Sequence, residues 1–307
     1  MSSKERITSS GTRRMAGVAG LAGVLLMFAS TAVLAKNYGS WAVAVNAESI
    51  TGTSSELNTA YLDGCPIQSP DGLSLYMASN RPGGEGGIDL WVSHRASRGE
   101  PYGAPVNLGP DINTAADDFC PTPIPGKGLF FVSTRVPGSC GGADIYYARQ
   151  NPAHGWSTPA NLGCAVNSAV GEAGPSLFEA ADGTYLYFSS GPDIYSSRQQ
   201  ADGSFGPREA VTALNSASYA DLRPNVRKDG LEIVFDSNRP GGVGMADLWI
   251  ATRESTADAW SAPVNVGPNV NTVDNETRGS FSRDGSTLYF GRAPGPEGGS
   301  DIFVTTR

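Results

Sequence analysis

Beyond residue 60 the chain alternates apolar and polar positions in short runs separated by Gly, Pro, Asn and Asp. Period-two alternation broken by turn formers predicts β-strands rather than helices. In the first complete unit, Cys65–Ser69 reads as a strand, Pro70-Asp71-Gly72 as a tight turn and Leu73–Ser79 as a second strand. The turn glycine supplies the positive φ that a two-residue hairpin needs. A Gly-rich loop, Arg81–Gly87, leads into a third strand from Ile88 to Arg95. Tyr102 then introduces a short fourth strand around Pro105-Val106-Asn107.

This unit recurs. An Asp, then Ile or Leu, then an aromatic stand at Asp89-Leu90-Trp91, Asp144-Ile145-Tyr146, Asp193-Ile194-Tyr195, Asp247-Leu248-Trp249 and Asp301-Ile302-Phe303, with spacings of 55, 49, 54 and 54 residues. The turn glycine returns at Gly126, Gly183, Gly230 and Gly285, and the fourth-strand aromatic at Trp156, Phe205 and Trp260. Four strands per repeat describe a propeller blade. The last copy ends at Arg307 after its third strand, while Trp41–Asn46 stands unattached ahead of the first copy with a fourth-strand pattern. The expectation is an all-β, five-bladed β-propeller of four-stranded antiparallel blades, one domain over residues 36–307. Its N-terminal strand completes the C-terminal blade and removes the open edge. The third copy passes from Ser190 to Asp193 without a Gly-rich loop, so the ring should be shallower there.

Composition sharpens this picture. The 39 Gly and 21 Pro among 307 residues disfavour long helices. The first 35 residues differ: Lys4, Arg6, Arg13 and Arg14 precede an uncharged run from Met15 to Ala35, the layout of a signal peptide, or of a membrane anchor if it is retained. Without it, 18 basic and 29 acidic residues remain, a net charge near −11, which excludes nucleic acid as a partner because binding it needs clustered basic charge. The four cysteines lie beyond the leader, in a periplasmic or secreted setting, and their spacing fits no zinc pattern. Four cysteines allow three pairings; their places in the blades favour Cys140 with Cys164 and Cys65 with Cys120. No metal and no cofactor are expected.

Ser69-Pro70-Asp71-Gly72-Leu73-Ser74-Leu75-Tyr76, Ser79-Asn80-Arg81-Pro82-Gly83-Gly84 and Asp89-Leu90-Trp91 resemble the Pro-Asp-Gly repeats of TolB-like, WD-repeat-like bacterial envelope propellers. The resemblance covers nearly all of the chain beyond the leader. It implies the propeller fold and leaves function open, because such repeats are scaffolds for many partners.

An acidic residue precedes each first strand: Asp63, Asp118, Glu172, Asp221 and Glu276. Five-fold repetition predicts a carboxylate ring at one mouth of the central channel, able to bind a cation, a basic peptide or a sugar. The architectural alternative is that each acid caps backbone N–H groups or pairs with a loop arginine such as Arg81, Arg135 or Arg239. The recurring third-strand Asp is expected to accept hydrogen bonds from its Gly-rich turn, and the aromatic after it to pack between blades. His94 and His154 sit in no nucleophilic or metal-binding arrangement. These features predict a scaffold that binds a protein, peptide or glycan at its loop-rich, cysteine-bearing face without catalysis, for example as a TolB-like envelope assembly factor. The enzymatic alternative is a carboxylate-dependent glycan hydrolase. Five-bladed glycosidases of the arabinanase type use carboxylates on inner strands around the axis, and here Asp63, Asp118 and Glu276 would be the first candidates. A carboxylate that serves catalysis should have neighbours its counterparts lack.

Overall fold

A computed structural model describes residues 38–307, apart from residues 125, 152 and 154. The expected leader and His154 lie outside the described residues. Five antiparallel sheets follow one another along the chain. Blade 1 comprises Asp63–Gln68, Ser74–Ser79, Asp89–His94 and Val106–Asn107. Blade 2 comprises Asp118–Ile124, Gly128–Ser133, Asp144–Asn151 and Ala160–Asn161, with Gly155–Trp156 paired outside its third strand. Blade 3 comprises Glu172–Ala180, Gly183–Ser190, Asp193–Arg198 and Glu209–Ala210, and blade 4 Asp221–Val226, Glu232–Ser237, Asp247–Thr252 and Val264–Asn265. Blade 5 contains Asn275–Phe281, Thr287–Ala293 and Asp301–Thr306. No helix among the described residues is long and apolar enough to cross a membrane.

Second strands supply much of the core. Phe131, Phe188, Phe235 and Phe290 are fully buried, and apolar clusters span neighbouring blades, as where Phe178 and Tyr187 of blade 3 meet Ile233 and Trp249 of blade 4. The Pro-Asp-Gly turn is held by its own Asp: Asp71 accepts from the Ser69 hydroxyl and the Leu73 N–H, and Gly72 has a φ of +74°, the left-handed value that favours glycine.

Each first strand slips register once, between Gly64 and Ile67, Phe119 and Thr122, Ala173 and Ser176, Leu222 and Asn225, and Thr277 and Ser280. The residue opening each bulge is left-handed: Cys65, Cys120, Gly174, Arg223 and Arg278. Proline follows it in the first four, as expected of a residue that cannot donate to a ladder and is tolerated at bulges. The bulges are therefore a five-fold feature of the innermost strands.

Closure follows the expected route. Val45 and Asn46 pair with Val304 and Phe303 as the fourth strand of blade 5, and the Ala42 N–H reaches the Thr306 carbonyl. Trp41 is 6% exposed, stacks on Phe281 at 6.3 Å and lies 4.2 Å from the Arg307 guanidinium. Trp41→Ala removes this anchor and should cost about 3 kcal/mol, the lower end for a buried Trp. Deletion of residues 36–47 should lower the melting temperature further and cause association through the bared third strand. Thermal melts and sedimentation check both; an unchanged melting temperature would refute closure as a source of stability.

Candidate functional site

The acidic ring forms, and each acid in it has a defined set of partners. Asp63, Asp118, Glu172, Asp221 and Glu276 are all at most 2% exposed. Each accepts from the connection that enters its blade: Thr59, Thr114, Ser168, Ser216 and Thr272 donate their backbone N–H groups to them. Arg81 pairs with Asp63 at 2.5 Å and Arg135 with Asp118 at 2.6 Å. Arg239 pairs with Asp221, and Arg292 with Glu276 at 2.8 Å. These guanidinium groups also lie over the third-strand aromatics Trp91, Tyr146, Trp249 and Phe303. Acid, arginine and ring make one repeated interlock. Buried ion pairs of this kind are costly to break.

Glu172 departs from the pattern. Among the described residues no arginine reaches it; its carboxylate takes hydrogen bonds from the Ser168 hydroxyl and N–H and from the Ser190 hydroxyl. Burial raises its pKa above the ordinary carboxylate value, outweighing those hydrogen bonds, and Asp144 adds to the rise. In place of a loop arginine, Arg208 from the fourth-strand segment covers Tyr195 and holds the Val166 and Asn167 carbonyls. A two-residue turn, Gly191-Pro192, replaces the Gly-rich loop. Asp89, Asp144, Asp247 and Asp301 are buried and accept from their own loops, at the N–H groups of Glu85, Cys140, Val243 and Glu297. Asp193 is instead partly exposed. It borders an open hollow of about 600 Å³ beside Asn215, Ser216 and Tyr219, and Tyr219 is 41% exposed.

Deeper in the channel, the left-handed residues of the five bulges meet. Cys65 and Cys120 are joined by a disulfide between blades 1 and 2. Cys140 and Cys164 form the other, within blade 2 between its Gly-rich loop and the segment after its fourth strand. Gly174 leaves room for its neighbour: a Cβ there would lie 2.5 Å from the Arg223 Cα. Arg223 makes a two-pronged pair with Asp236 at 3.0 and 2.7 Å. Desolvation acts to lower its pKa, and Asp236 more than offsets this. Arg278 is fully buried and crosses the channel from blade 5. It donates to the carbonyls of Gly174, Pro175 and Pro224 and to the Thr122 hydroxyl, at 3.1 to 3.3 Å. Burial lowers its pKa to about 10, so it stays charged at neutral pH. The channel is therefore blocked at this level by a guanidinium. Among the described residues no group of three His, Cys, Asp or Glu side chains is arranged to hold a metal ion.

Three features had escaped the sequence reading. Arg292 lies within the second strand of blade 5, directly opposite Glu276, at the position of Ser79, Ser133 and Ser237 and so two residues ahead of Arg81, Arg135 and Arg239. Asp236 interrupts an apolar strand at a position where the other copies carry Ala78, Val132, Ser189 and Gly291. The Cys, Cys, Gly, Arg, Arg series at one repeat position was the available signal for the axial plug.

No protein-family model matches the chain and no curated protein matches it in sequence. Solved structures do resemble it. A thermostable family-43 glycoside hydrolase superposes with a TM-score of 0.55 at 13% identity, over 83% of this chain and 91% of the other. The catalytic domain of the Coprinopsis cinerea GH62 α-L-arabinofuranosidase does so with a TM-score of 0.56 at 13% identity, over 87% and 96%. A putative TolB from Agrobacterium tumefaciens reaches 0.47 at 19% identity, over 76% and 71%. The class defined is the five-bladed β-propeller. The neighbours are mostly glycoside hydrolase propellers, so the TolB and WD-repeat family is not singled out. They also overturn the expectation of a binding scaffold without catalysis, since this ring is one on which glycoside hydrolases are built.

The raised pKa of Glu172 has a signed consequence. The native state holds this proton more tightly than the unfolded chain, so the group's contribution to stability is complete below about pH 4.3 and is lost as pH rises through the folded value. Glu172→Gln keeps the side chain neutral at every pH. It should melt higher than wild type at neutral pH, with the gain vanishing in acid; a pH series of thermal melts checks this, and a gain independent of pH would contradict it.

Proposed function

We propose that the protein is an extracytoplasmic glycan hydrolase acting at the mouth of blade 3, with Glu172 as general acid and Asp193 as the second carboxylate. The observation that carries this reading is the break in symmetry. Four ring acids are locked to arginines, whereas Glu172 has none among the described residues and burial raises its pKa. A carboxyl whose pKa is raised holds its proton to higher pH and can donate it to a leaving-group oxygen. Glu172 pairs across the sheet with Ser190, and Ser190 with Asp193, so the two acids belong to one face of the blade two strand spacings apart. That is about 10 Å between backbones, close to the roughly 6.5–9.5 Å between carboxyl groups that lets an inverting enzyme hold a water opposite the bond being cut. In the reaction, Asp193 takes a proton from this water as its oxygen attacks the anomeric carbon. Glu172 delivers its proton to the departing oxygen. Tyr219 offers an exposed ring beside Asp193 on which a sugar can lie.

The resemblance to family-43 and family-62 hydrolases supports the glycan as substrate class, with arabinose- and xylose-containing polymers the first to assay. Two disulfides support a periplasmic or secreted setting, where such bonds persist. Asp63, Asp118 and Glu276, the first candidates from sequence, serve in this reading as the rigid frame of the mouth.

The mechanism is tested with arabinan, xylan and an aryl glycoside whose leaving group needs no proton. Glu172→Gln should slow polymer hydrolysis about 10²- to 10⁴-fold, the usual worth of a general acid, and spare the aryl glycoside. Asp193→Asn should slow both. In wild type, kcat/KM should fall on the alkaline side as Glu172 loses its proton. Polymer turnover by Glu172→Gln at the wild-type rate, or none by wild type on any of these glycans, would overturn the assignment.

A further inference from the structure

We infer that the opposite mouth of the channel, at the Pro-Asp-Gly turns, is a separate binding site for an acidic oligosaccharide whose sugars carry carboxylates. All five first strands end there around a basin of about 340 Å³, within the range of small-molecule sites. It lies roughly 20 Å from the carboxylate ring, one first-strand length at about 3.3 Å per residue. Its floor is closed: Thr122 lines the basin and touches the guanidinium of Arg278. A ligand must therefore enter and leave by the same side, and a chain presents its end.

The basin departs from the overall charge. In a chain of net charge −8, Lys127, Lys228 and Arg283 line it against one exposed carboxylate, Glu179. Glu179 is shared by both lysines at 3.2 and 3.0 Å, and an exposed pair of this kind contributes little and exchanges readily. Arg283 is exposed and has no ion-pair partner among the described residues. The remaining cation of the wall, Arg227, is neutralised by Asp229 and Glu232 and is not counted. Beneath lie Arg223 and Arg278 with Asp236 between them, which leaves one further positive charge close to the floor.

Asn225 adds a polar group to the basin. It lines the basin and is only 6% exposed. Its Oδ1 accepts from the Phe281 N–H, while its Nδ2 has no hydrogen-bond partner among the described residues. This amide group is left to donate to a sugar hydroxyl or carboxylate at the floor. Ile67, Pro123 and Leu177 give the wall apolar surface for the C–H face of a sugar ring. The anionic half of this inference stands on the charges; the sugar half rests on the glycan reading above.

Calorimetric titration of trigalacturonate into the hydrolysis-impaired Glu172→Gln protein tests it, with galactotriose and hexaglutamate as the neutral and peptide arms. Trigalacturonate should bind, and more weakly as salt is raised. Lys228→Ala/Arg283→Ala should weaken binding at least tenfold without lowering the melting temperature, since both side chains are exposed. Glu179→Gln, which frees both lysines, should tighten it severalfold. Equal affinity for galactotriose, affinity for hexaglutamate as great as for trigalacturonate, or binding untouched by the double variant would overturn the site. Loss of glycan hydrolysis in wild type with trigalacturonate binding intact would remove the hydrolase reading alone.

Discussion

Five inner strands converge on one axis, and each brings a left-handed bulge residue to the same depth. What stands at that position must fit a space shared with four copies of itself. Five identical large side chains cannot do so, and five small ones would leave a pore. The chain divides the task. Two cysteines bond to each other, a glycine makes room, one arginine turns to an aspartate in its own blade, and the last crosses to the carbonyls opposite. Each choice depends on its neighbours. Gly174 is required because Arg223 lies against it, and Arg278 is tolerated because bulge carbonyls of several blades face inward. Asp236 supplies the counter-charge next to both guanidinium groups, of which that of Arg278 is fully buried.

Outward from the axis the repeated interlock of acid, arginine and aromatic ring fixes each connection to its blade. Because the same three groups recur with the same partners in blades 1, 2, 4 and 5, they stiffen the ring uniformly and give no position a chemistry of its own. Blade 3 relaxes this constraint in three linked ways. Its loop is cut to two residues, the loop arginine goes with it, and Asp193 loses the cover its counterparts keep while Glu172 stays buried without an ion pair. Arg208 recovers the contact with the ring and the connection carbonyls from another segment, so the blade remains packed although Glu172 has no arginine.

The strands, turns and closing segment were legible because each follows from local rules of alternation, turn glycine and edge pairing. Both disulfides were legible because the repeat assigns each cysteine to a blade position. The axial plug was not, since its logic lies in the comparison of Cys65, Cys120, Gly174, Arg223 and Arg278 across copies, and each looks unremarkable within its own strand. Arg292 was missed for a register reason: an offset of two residues places it in the strand and hides it from an alignment built on the Asn-Arg-Pro-Gly loop. The status of Glu172 could not be read at all from its identity, because four acids of the same type in the same place are ion-paired. What distinguishes it is the absence of a partner that other copies place about 17 residues downstream, an inference from spacing that only a folded blade makes physical.

The closing pair also determines how the ring responds to force. Val45 and Asn46 run antiparallel to Val304 and Phe303, with Ala42 beside Thr306, so the entering and leaving chains emerge at the same end of one short ladder. Tension between them peels the ladder bond by bond instead of loading its hydrogen bonds together. The seam is thus the mechanically weak point of the ring, while blades 1 and 2, tied covalently at the axis, would travel as one body.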